Sequence, residues 1–216
     1  MSSQASLIAP RIAGLVLAAG RSARMGAQQS KLVMSVQGKP LVAWPVEAMS
    51  GAGIERPFVV TGFEAASVEA ALAGQTCTFL HHASWAEGMG ASLAFGAQQV
   101  IAAEASAPAR FDALLLCLGD LPGLRAPLLE ELLEAAGPAP LRDRIIIPTY
   151  EGRPGHPVLF GRRFWPRLVA LSGDAGAKAV IAAEPEAVTR IPVENEAILA
   201  DIDTAEDLAR WEAAQE

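Results

Sequence analysis

Residues 12–20 read IAGLVLAAG, and this short apolar run is the strongest indication of the fold. Its apolar part, 12–19, is too short for a core helix and fits a strand that is buried on both faces. Gly20 then permits a sharp turn. A second strand of this kind is predicted at 112–118 and ends at Gly119-Asp120. Strands of this type are typical of parallel sheets that are covered by helices.

Strands and helices alternate along the rest of the chain. Strands are predicted at 12–19, 58–61, 77–81, 112–118, 145–148, 158–160 and 198–202, and helices at 40–50, 64–72, 91–103, 127–136, 175–183 and 204–214. This alternation predicts a three-layer α/β sandwich with a mainly parallel sheet, in one domain over 1–216 with a flexible N-terminus at 1–10. Ligands of such sheets bind beyond the carboxyl ends of the strands.

The composition is that of a folded protein without a positive surplus. Of the 216 residues, 51% are hydrophobic and 19% are charged, which excludes a disordered chain. The net charge of −7 argues against a general nucleic-acid binder. No run is long enough to cross a membrane, and the first residues do not form a signal peptide, so we expect a cytoplasmic protein with no membrane partner. Cys77 and Cys117 lack metal-binding spacing and fit a reducing compartment.

The loop after the first strand combines glycine with positive charge. Residues 17–26 read LAAGRSARMG, and Lys31 follows. Backbone N–H groups of such a loop can bind phosphate oxygens, and Arg21, Arg24 and Lys31 add positive charge in an acidic protein. The spacing matches neither the dinucleotide-binding GxGxxG motif nor a P-loop. On spacing alone, a phosphate-binding loop and a solvated basic loop both remain open.

Carboxylates lie at the ends of two further predicted strands. Asp120 ends the strand at 112–118 and could hold Mg²⁺, although Gly-Asp-x-Pro is also typical of a turn. Asp201 and Asp203 are two residues apart and would share a face if their segment is extended, as predicted. The same segment could instead cap the last helix, with Thr204 as the N-cap. The sequence leaves open whether Asp201 or Asp203 is a metal ligand.

Several segments together resemble the MobA-like nucleotidyltransferases, in particular the molybdenum cofactor cytidylyltransferases. The loop is similar to the family's LAAGxSxRMG…K signature, although four residues separate Gly26 from Lys31, about one more than the family pattern. GDLP at 119–122 and DIDTAEDL at 201–208 are similar to its GDxP and DIDTPEDL segments. GHPVLF at 155–160, GMGASL at 88–93 and SGDAGAK at 172–178 resemble three further family segments, with glycine at 90 where the family has serine and lysine at 178 where it has arginine.

The resemblance implies a Rossmann-like nucleotidyltransferase fold and a role for each matching residue. Catalytic roles would fall to Arg24, Lys31 and Asp120, and metal binding to Asp120, Asp201 and Asp203. The nucleotide would meet Leu17, Ala18, Ala19, Gly20, Arg21, Ser22, Arg24, Lys31, Gly88 and Ser92. The acceptor would meet Arg153, Gly155, His156 and Asp174. We interpret His81 and His82, which have no third ligand nearby in the sequence, as strand-end residues.

The implied reaction transfers CMP from CTP to the phosphate of the molybdenum cofactor with release of pyrophosphate, using Mg²⁺ or alternatively Mn²⁺. Ala19 favours CTP, because the guanylyltransferases of the family have glycine there. A molybdenum hydroxylase would be the partner that receives the product. The alternatives are a guanylyltransferase, a sugar-phosphate or methylerythritol-phosphate nucleotidyltransferase, and a non-catalytic molybdenum cofactor chaperone for a xanthine dehydrogenase-type enzyme.

Overall fold

The computed structural model describes residues 10–21, 30–106, 110–137 and 140–213. Its strands are β1 (Ile12–Ala18), β2 (Ser35–Val36), β3 (Lys39–Pro40), β4 (Phe58–Thr61), β5 (Thr78–His81), β6 (Ala113–Leu118), β7 (Ile145–Tyr150), β8 (Arg153–Pro154), β9 (Val158–Gly161) and β10 (Val188–Pro192). Its α-helices are α1 (Ala43–Gly51), α2 (Ala65–Ala71), α3 (Met89–Ala103), α4 (Ala126–Ala135), α5 (Trp165–Val169), α6 (Lys178–Ala183) and α7 (Ala205–Ala213).

The main sheet has the strand order β10-β7-β9-β6-β1-β4-β5, and β8 pairs with β7. The central strand β1 runs parallel to both β4 and β6. Only β9 and the short β8 run against the direction of their neighbours in the described part of the sheet. The prediction of a mainly parallel α/β sheet is therefore confirmed.

Helices cover both faces of the sheet, because β1 and its neighbours are apolar on each face. Ala13 and Leu15 of β1 pack into one core with α3, α5 and α6. Val16 and Ala18 pack into the opposite core with α1, α2 and α4. This division explains why the strand reads as a continuous apolar run rather than as an alternating one. The part of the chain that the structure describes contains no helix long and apolar enough to cross a membrane.

A third, smaller core lies beside the two large ones. It joins the β2–β3 hairpin and the start of α1 to the C-terminal segment, and its members are Val36, Leu41, Trp44, Ala197, Ile202 and Trp211. The hairpin is in turn tied to the 3₁₀ turn Lys31–Val33, since the N–H of Val42 donates to the carbonyl of Leu32 at 3.0 Å. The small core therefore brings the segment after Lys31 close to the segment that carries Asp201 and Asp203.

The predicted strand at 198–202 is wrong. Glu196–Leu199 forms a 3₁₀ helix, and the residues that follow it up to α7 are irregular. The side chain of Asn195 caps this helix by accepting from the N–H of Ala197 at 2.9 Å. Ile198 and Ile202, which are four residues apart, are both buried. Ile198 lies in the 3₁₀ helix and packs into the core with α1, α2 and α4, whereas Ile202 follows the helix and packs into the small core.

Pro40 does not open a helix, contrary to the prediction. It pairs with Ser35 in the β2–β3 hairpin, whose turn is made by Gln37 and Gly38 at φ angles of 51° and 82°. These positive angles suit the tight turn of a two-residue hairpin. The first α-helix begins only at Ala43. The edge strand β10, which pairs with β7, was not predicted either.

A substitution in β6 tests whether Leu115 belongs to the core that contains α1, α2 and α4. Leu115 of β6 is fully buried, so Leu115→Ala should lower the free energy of unfolding by about 3 kcal/mol. Ile101→Ala is the control, because Ile101 is 38% exposed, and it should change that free energy by less than about 1 kcal/mol. Urea denaturation of both variants gives the comparison. Equal losses would contradict the assignment of Leu115 to the core.

Candidate active site

A cleft of about 570 Å³ opens at the carboxyl ends of β1 and β6. Such an edge is where parallel α/β sheets bind ligands. Residues from both ends of the chain line the cleft: Leu17, Ala19, Gly20, Arg21, Lys31, Leu32, Trp85, Ala86, Gly88, Met89, Ser92, Leu118, Gly119, Asp120, Asp174, Asp201 and Asp203.

The ammonium group of Lys31 lies between two carboxylates. Its Nζ is 2.8 Å from Oδ2 of Asp120 and 2.6 Å from Oδ1 of Asp203. The lysine side chain is only 10% exposed. Burial by itself lowers the pKa of Lys31, but Asp120 and Asp203 outweigh that effect, and the pKa is raised above its ordinary value. The cleft therefore contains a buried side chain that is held in its charged form.

Asp120 is positioned by contacts with Ile202 and Lys31. Its main-chain carbonyl accepts from the N–H of Ile202 at 3.1 Å, which ties the end of β6 to the C-terminal segment. Its Oδ2 contacts Lys31, while its Oδ1 is buried and has no hydrogen-bond partner among the described residues. A buried carboxylate oxygen without a partner is costly, and such groups often mark the place of a ligand.

The structure places Asp201 and Asp203 differently, although the sequence could not decide which of them is a metal ligand. Asp203 points to Lys31, whereas Asp201 lines the cleft and is exposed. Thr204 caps α7, as predicted: its hydroxyl accepts from the N–H of Asp207 at 3.1 Å, and Oδ2 of Asp207 accepts from the N–H and the hydroxyl of Thr204, both at 2.8 Å. These hydrogen bonds, led by that from the Thr204 hydroxyl, lower the pKa of Asp207. The acidic segment thus contains both a cap and a carboxylate directed into the cleft.

Two glycine-containing segments form one wall of the cleft. The carbonyl of Gly173 accepts from the N–H groups of Gly90 and Ala91, at 2.8 and 3.3 Å, at the start of α3. A Cβ at Gly90 would lie 2.5 Å from the carbonyl oxygen of Ala175, so serine does not fit there. Gly88 has a φ of 115°, and a Cβ on it would lie 2.6 Å from Oδ1 of Asp174. Asp174, expected on the acceptor side, therefore lies against Gly88 in the wall of the cleft.

Ser92 takes part in a contact that sequence reasoning missed. Its hydroxyl is 3.2 Å from Nδ1 of His82, whose ring stacks on Phe95 at 4.7 Å. Burial lowers the pKa of His82, against the opposing charge of Glu87. The interpretation of His82 as a strand-end residue gave no sign of this pair, because its partners lie ten and more residues further along the chain.

The remaining acceptor-side residues do not line the main cleft. The N–H of His156 donates to the carbonyl of Ile198 at 2.8 Å, and a Cβ at Gly155 would lie 2.4 Å from that same oxygen. Burial lowers the pKa of His156 despite the nearby charges of Asp120 and Asp201. Its Nδ1 is buried and finds no hydrogen-bond partner in the described ranges.

Arg153 lies in a neighbouring pocket of about 400 Å³. This pocket shares Asp201 with the main cleft, and it is lined by Tyr150, Arg153, Glu196, Leu199, Ala200, Asp201, Ile202, Asp207, Arg210 and Trp211. Asp201 thus stands between two cavities, of which the second contains aromatic and arginine side chains.

The predicted nucleotide loop is only partly described. Leu17, Ala19, Gly20 and Arg21 line the cleft, whereas Ala18 is buried in the core beneath it. Ser22 and Arg24 lie outside the described residues. Among the described residues, no group of three or more histidine, cysteine, aspartate and glutamate side chains is placed to hold a metal ion.

Comparison with known sequences gives one family and two kinds of relative. A family model described as the MobA-like NTP transferase domain matches residues 14–188. Nicotine blue oxidoreductase of Paenarthrobacter nicotinovorans is 29% identical over 209 residues, which covers 93% of this chain and 96% of that protein. The bifunctional protein GlmU of Geobacter metallireducens is 32% identical over 130 residues, 58% of this chain but only 25% of that protein. This chain therefore spans about a quarter of the length of GlmU.

Solved structures match over almost the whole chain. Rv0371c from Mycobacterium tuberculosis has a TM-score of 0.77 and 28% identity, covering 95% of this chain and 100% of that one. Its complex with manganese has a TM-score of 0.71 and 26% identity, covering 94% and 98%. A nucleotidyl transferase from Methanothermobacter has a TM-score of 0.76 and 23% identity, covering 94% and 97%, and so supports the fold alone.

The buried His82 should make stability depend on pH. Its folded pKa is lowered from 6.5, so below that pH the unfolded chain binds a proton that the folded chain does not bind. The wild-type protein should therefore lose stability relative to His82→Gln as the pH falls from about 7.5 to 5.5. Urea midpoints measured at both pH values give this difference. Parallel pH profiles for the two proteins would show that His82 titrates as it does in the unfolded chain.

Proposed function

Because this chain belongs to the MobA-like NTP transferase family, we propose that it transfers CMP from CTP to the phosphate of the molybdenum cofactor, in the cytoplasm. The class of the reaction, nucleotidyl transfer, follows from the family. The observation that carries the proposal is the buried Lys31 ammonium between Asp120 and Asp203, at the carboxyl end of β6. A fixed cation beside carboxylates suits a reaction in which charge moves between phosphate groups.

The reaction needs alignment and charge neutralisation more than covalent help from the protein. An oxygen of the acceptor phosphate attacks the α-phosphorus of the triphosphate, the bond to the β-phosphate breaks, and pyrophosphate leaves. Lys31 offsets charge that develops on the α-phosphate and the leaving group. A Cβ at Gly20 would meet no described atom within 4 Å, so the main chain there is open to an approaching phosphate.

Asp120 and Asp203 fit the oxygen-ligand chemistry of Mg²⁺, with Mn²⁺ as the alternative. Oδ1 of Asp120 is a buried oxygen without a partner in the described part of the chain, and the Asp203 carboxylate reaches the same lysine. Magnesium is commonly held by one or two carboxylates together with substrate phosphates. When bound, the ion would neutralise phosphate charge and favour departure of pyrophosphate. The manganese complex of the similar Rv0371c protein supports a divalent ion in this chain.

The preference for CTP rests on the resemblance at Ala19. This residue lines the cleft and is 2% exposed. Its methyl group is tightly packed, since a Cβ at Gly62 would lie 2.9 Å from it. The methyl group therefore faces Gly62 and the core, so the proposed choice of CTP rests on the resemblance alone. The acceptor would lie on the side of Asp201 and Arg153, and the product would pass to a molybdenum hydroxylase.

A second candidate activity comes from a relative. The chain is similar over nearly its full length to nicotine blue oxidoreductase, which favours an oxidoreductase acting on a related compound. The Lys31–Asp120–Asp203 arrangement supports phosphate chemistry more directly than electron transfer, because it places a cation beside metal-type oxygen ligands. Transfer to another acceptor phosphate and a chaperone role for the molybdenum cofactor are the remaining alternatives.

Pyrophosphate release separates these functions. The protein should release pyrophosphate from CTP with Mg²⁺ only when the molybdenum cofactor is added. Release with GTP instead would keep the reaction and overturn the choice of base. Binding of the molybdenum cofactor without release of pyrophosphate from either nucleotide would favour the chaperone role. Decolourisation of nicotine blue by a reduced pyridine nucleotide, without any release, would favour the oxidoreductase.

Two aspartates at opposite ends of β6 provide a matched pair of variants. Asp120→Ala should fold and lose turnover by about 100-fold or more, because it removes a carboxylate from the reacting centre. Asp112→Ala is the control, since Asp112 precedes the strand and accepts from the N–H of Arg11 at 3.1 Å, away from the cleft. Steady-state assays and melting temperatures are measured for both. Normal turnover in Asp120→Ala would remove Asp120 from the reaction.

A further inference from the structure

The turn between β4 and α2 contacts the two segments that lie on either side of residues 22–29. The N–H of Phe63 donates to the carbonyl of Ala19 at 3.0 Å. The guanidinium group of Arg21 lies over the Phe63 ring, 5.5 Å from its centroid. One residue further on, the carboxylate of Glu64 accepts from the main-chain N–H of Ser30 at 2.6 Å. A single short turn therefore holds both the end of β1 and the residue before Lys31.

Ser30 transmits the position of this turn to Lys31. Ser30 is 1% exposed, so its N–H has no access to water and depends on Glu64 for a partner. Its hydroxyl accepts from the N–H of Leu32 at 3.4 Å and so caps the 3₁₀ turn Lys31–Val33. Loss of the Glu64 carboxylate would leave a buried donor unsatisfied at the residue next to Lys31, which the main chain would relieve by moving.

The backbone of Glu64 is unusual for a residue with a side chain. Its φ and ψ are 49° and 40°, in the left-handed region, which costs free energy for any residue with a Cβ. Glu64 stands at the N-cap of α2, but its side chain makes no capping hydrogen bond there. The carboxylate instead reaches across to Ser30, 34 positions earlier in the chain. Local helix capping therefore does not account for this glutamate.

We propose that Glu64 is a positioning residue, which acts through the Ser30 amide to hold the Lys31 ammonium between Asp120 and Asp203. Lys31 is nine-tenths buried, so the direction of its side chain depends on where the main chain of 30–31 lies. A carboxylate near a site for a polyanion is electrostatically unfavourable. The short hydrogen bond from the buried Ser30 amide to the Glu64 carboxylate offsets that cost. The kinetic part of this role rests on the proposed nucleotidyl transfer.

Substitutions at Glu64 separate the hydrogen bond from the backbone strain. Glu64→Gln keeps a carbonyl oxygen that can accept from Ser30. Glu64→Ala removes the acceptor, and Glu64→Gly removes it while relieving the left-handed backbone. The matched control is Glu151→Ala, because Glu151 also has a φ of 49° but lies on the exposed β7–β8 turn. Each folded variant is tested for turnover of the triphosphate and for acylation of Lys31 by an amine-reactive ester, quantified by mass spectrometry.

Glu64→Ala and Glu64→Gly should lower kcat at least tenfold, with KM for the triphosphate changed by less than threefold, because Lys31 acts mainly in the transition state. Lys31 should become at least threefold more reactive to the ester in these two variants. Glu64→Gln should stay within threefold of the wild type in both measurements, and Glu151→Ala should match the wild type.

The proposal is overturned if Glu64→Ala retains wild-type kcat and Lys31 protection. It is also overturned if kcat falls as far in Glu64→Gln as in Glu64→Ala. A loss of kcat that merely follows the melting temperature, with a matching rise in KM, would overturn it as well. Should Glu64→Ala not fold, Glu64→Gly decides the outcome. If the wild-type protein transfers no nucleotide, the proposed function fails, and the reactivity of Lys31 still decides the positioning role.

Discussion

The site depends on one buried cation and the two carboxylates that keep it charged. Lys31, Asp120 and Asp203 come from distant parts of the chain and meet at one edge of the sheet. A lysine this deeply buried is tolerated only with partners of opposite charge. The three-way contact therefore requires the 3₁₀ turn Lys31–Val33, the end of β6 and the C-terminal segment to be fixed relative to one another. The small core around Trp44 and Trp211 helps to fix them, because it joins the hairpin after Lys31 to the segment before α7.

The sequence was sufficient for the parallel part of the fold and insufficient for the parts shaped by distant contacts. β1 and β6 could be predicted because each is a short apolar run that is buried on both faces. The segment at 198–202 could not, because Ile198 in the 3₁₀ helix and Ile202 beyond it are buried in two different cores by residues far away in the chain. Asp120 was predicted from its position after β6, whereas Lys31 was proposed from the basic loop and the family resemblance, and Asp203 from a strand that does not form. The pairing of His82 with Ser92 leaves no local pattern, because it forms only where the residue after β5 meets α3.

In the proposed function, the general chemistry and the specificity would reside in different parts of the cleft. The lysine and the carboxylates that suit nucleotidyl transfer are anchored to β6, to the 3₁₀ turn Lys31–Val33 and to the C-terminal segment. The surfaces that would distinguish one base or one acceptor from another are Ala19, the glycine-rich wall at 88–90 and the pocket beyond Asp201. This separation is consistent with a family match that covers most of the chain, beside relatives whose names describe different activities.

The reversed direction of β9 has a consequence for how such a protein can diversify. Because β9 runs against β6, the residues that precede it, and not those that follow it, arrive at the ligand-binding edge. They are delivered by the hairpin of β7 and β8, whose tip at Glu151-Gly152 is exposed and has positive φ angles. A hairpin tip accepts insertions without disturbing the strands behind it. Changes in length at the tip of this hairpin could therefore reshape the proposed acceptor side over evolution, while the helical crossovers of the parallel half stay unchanged.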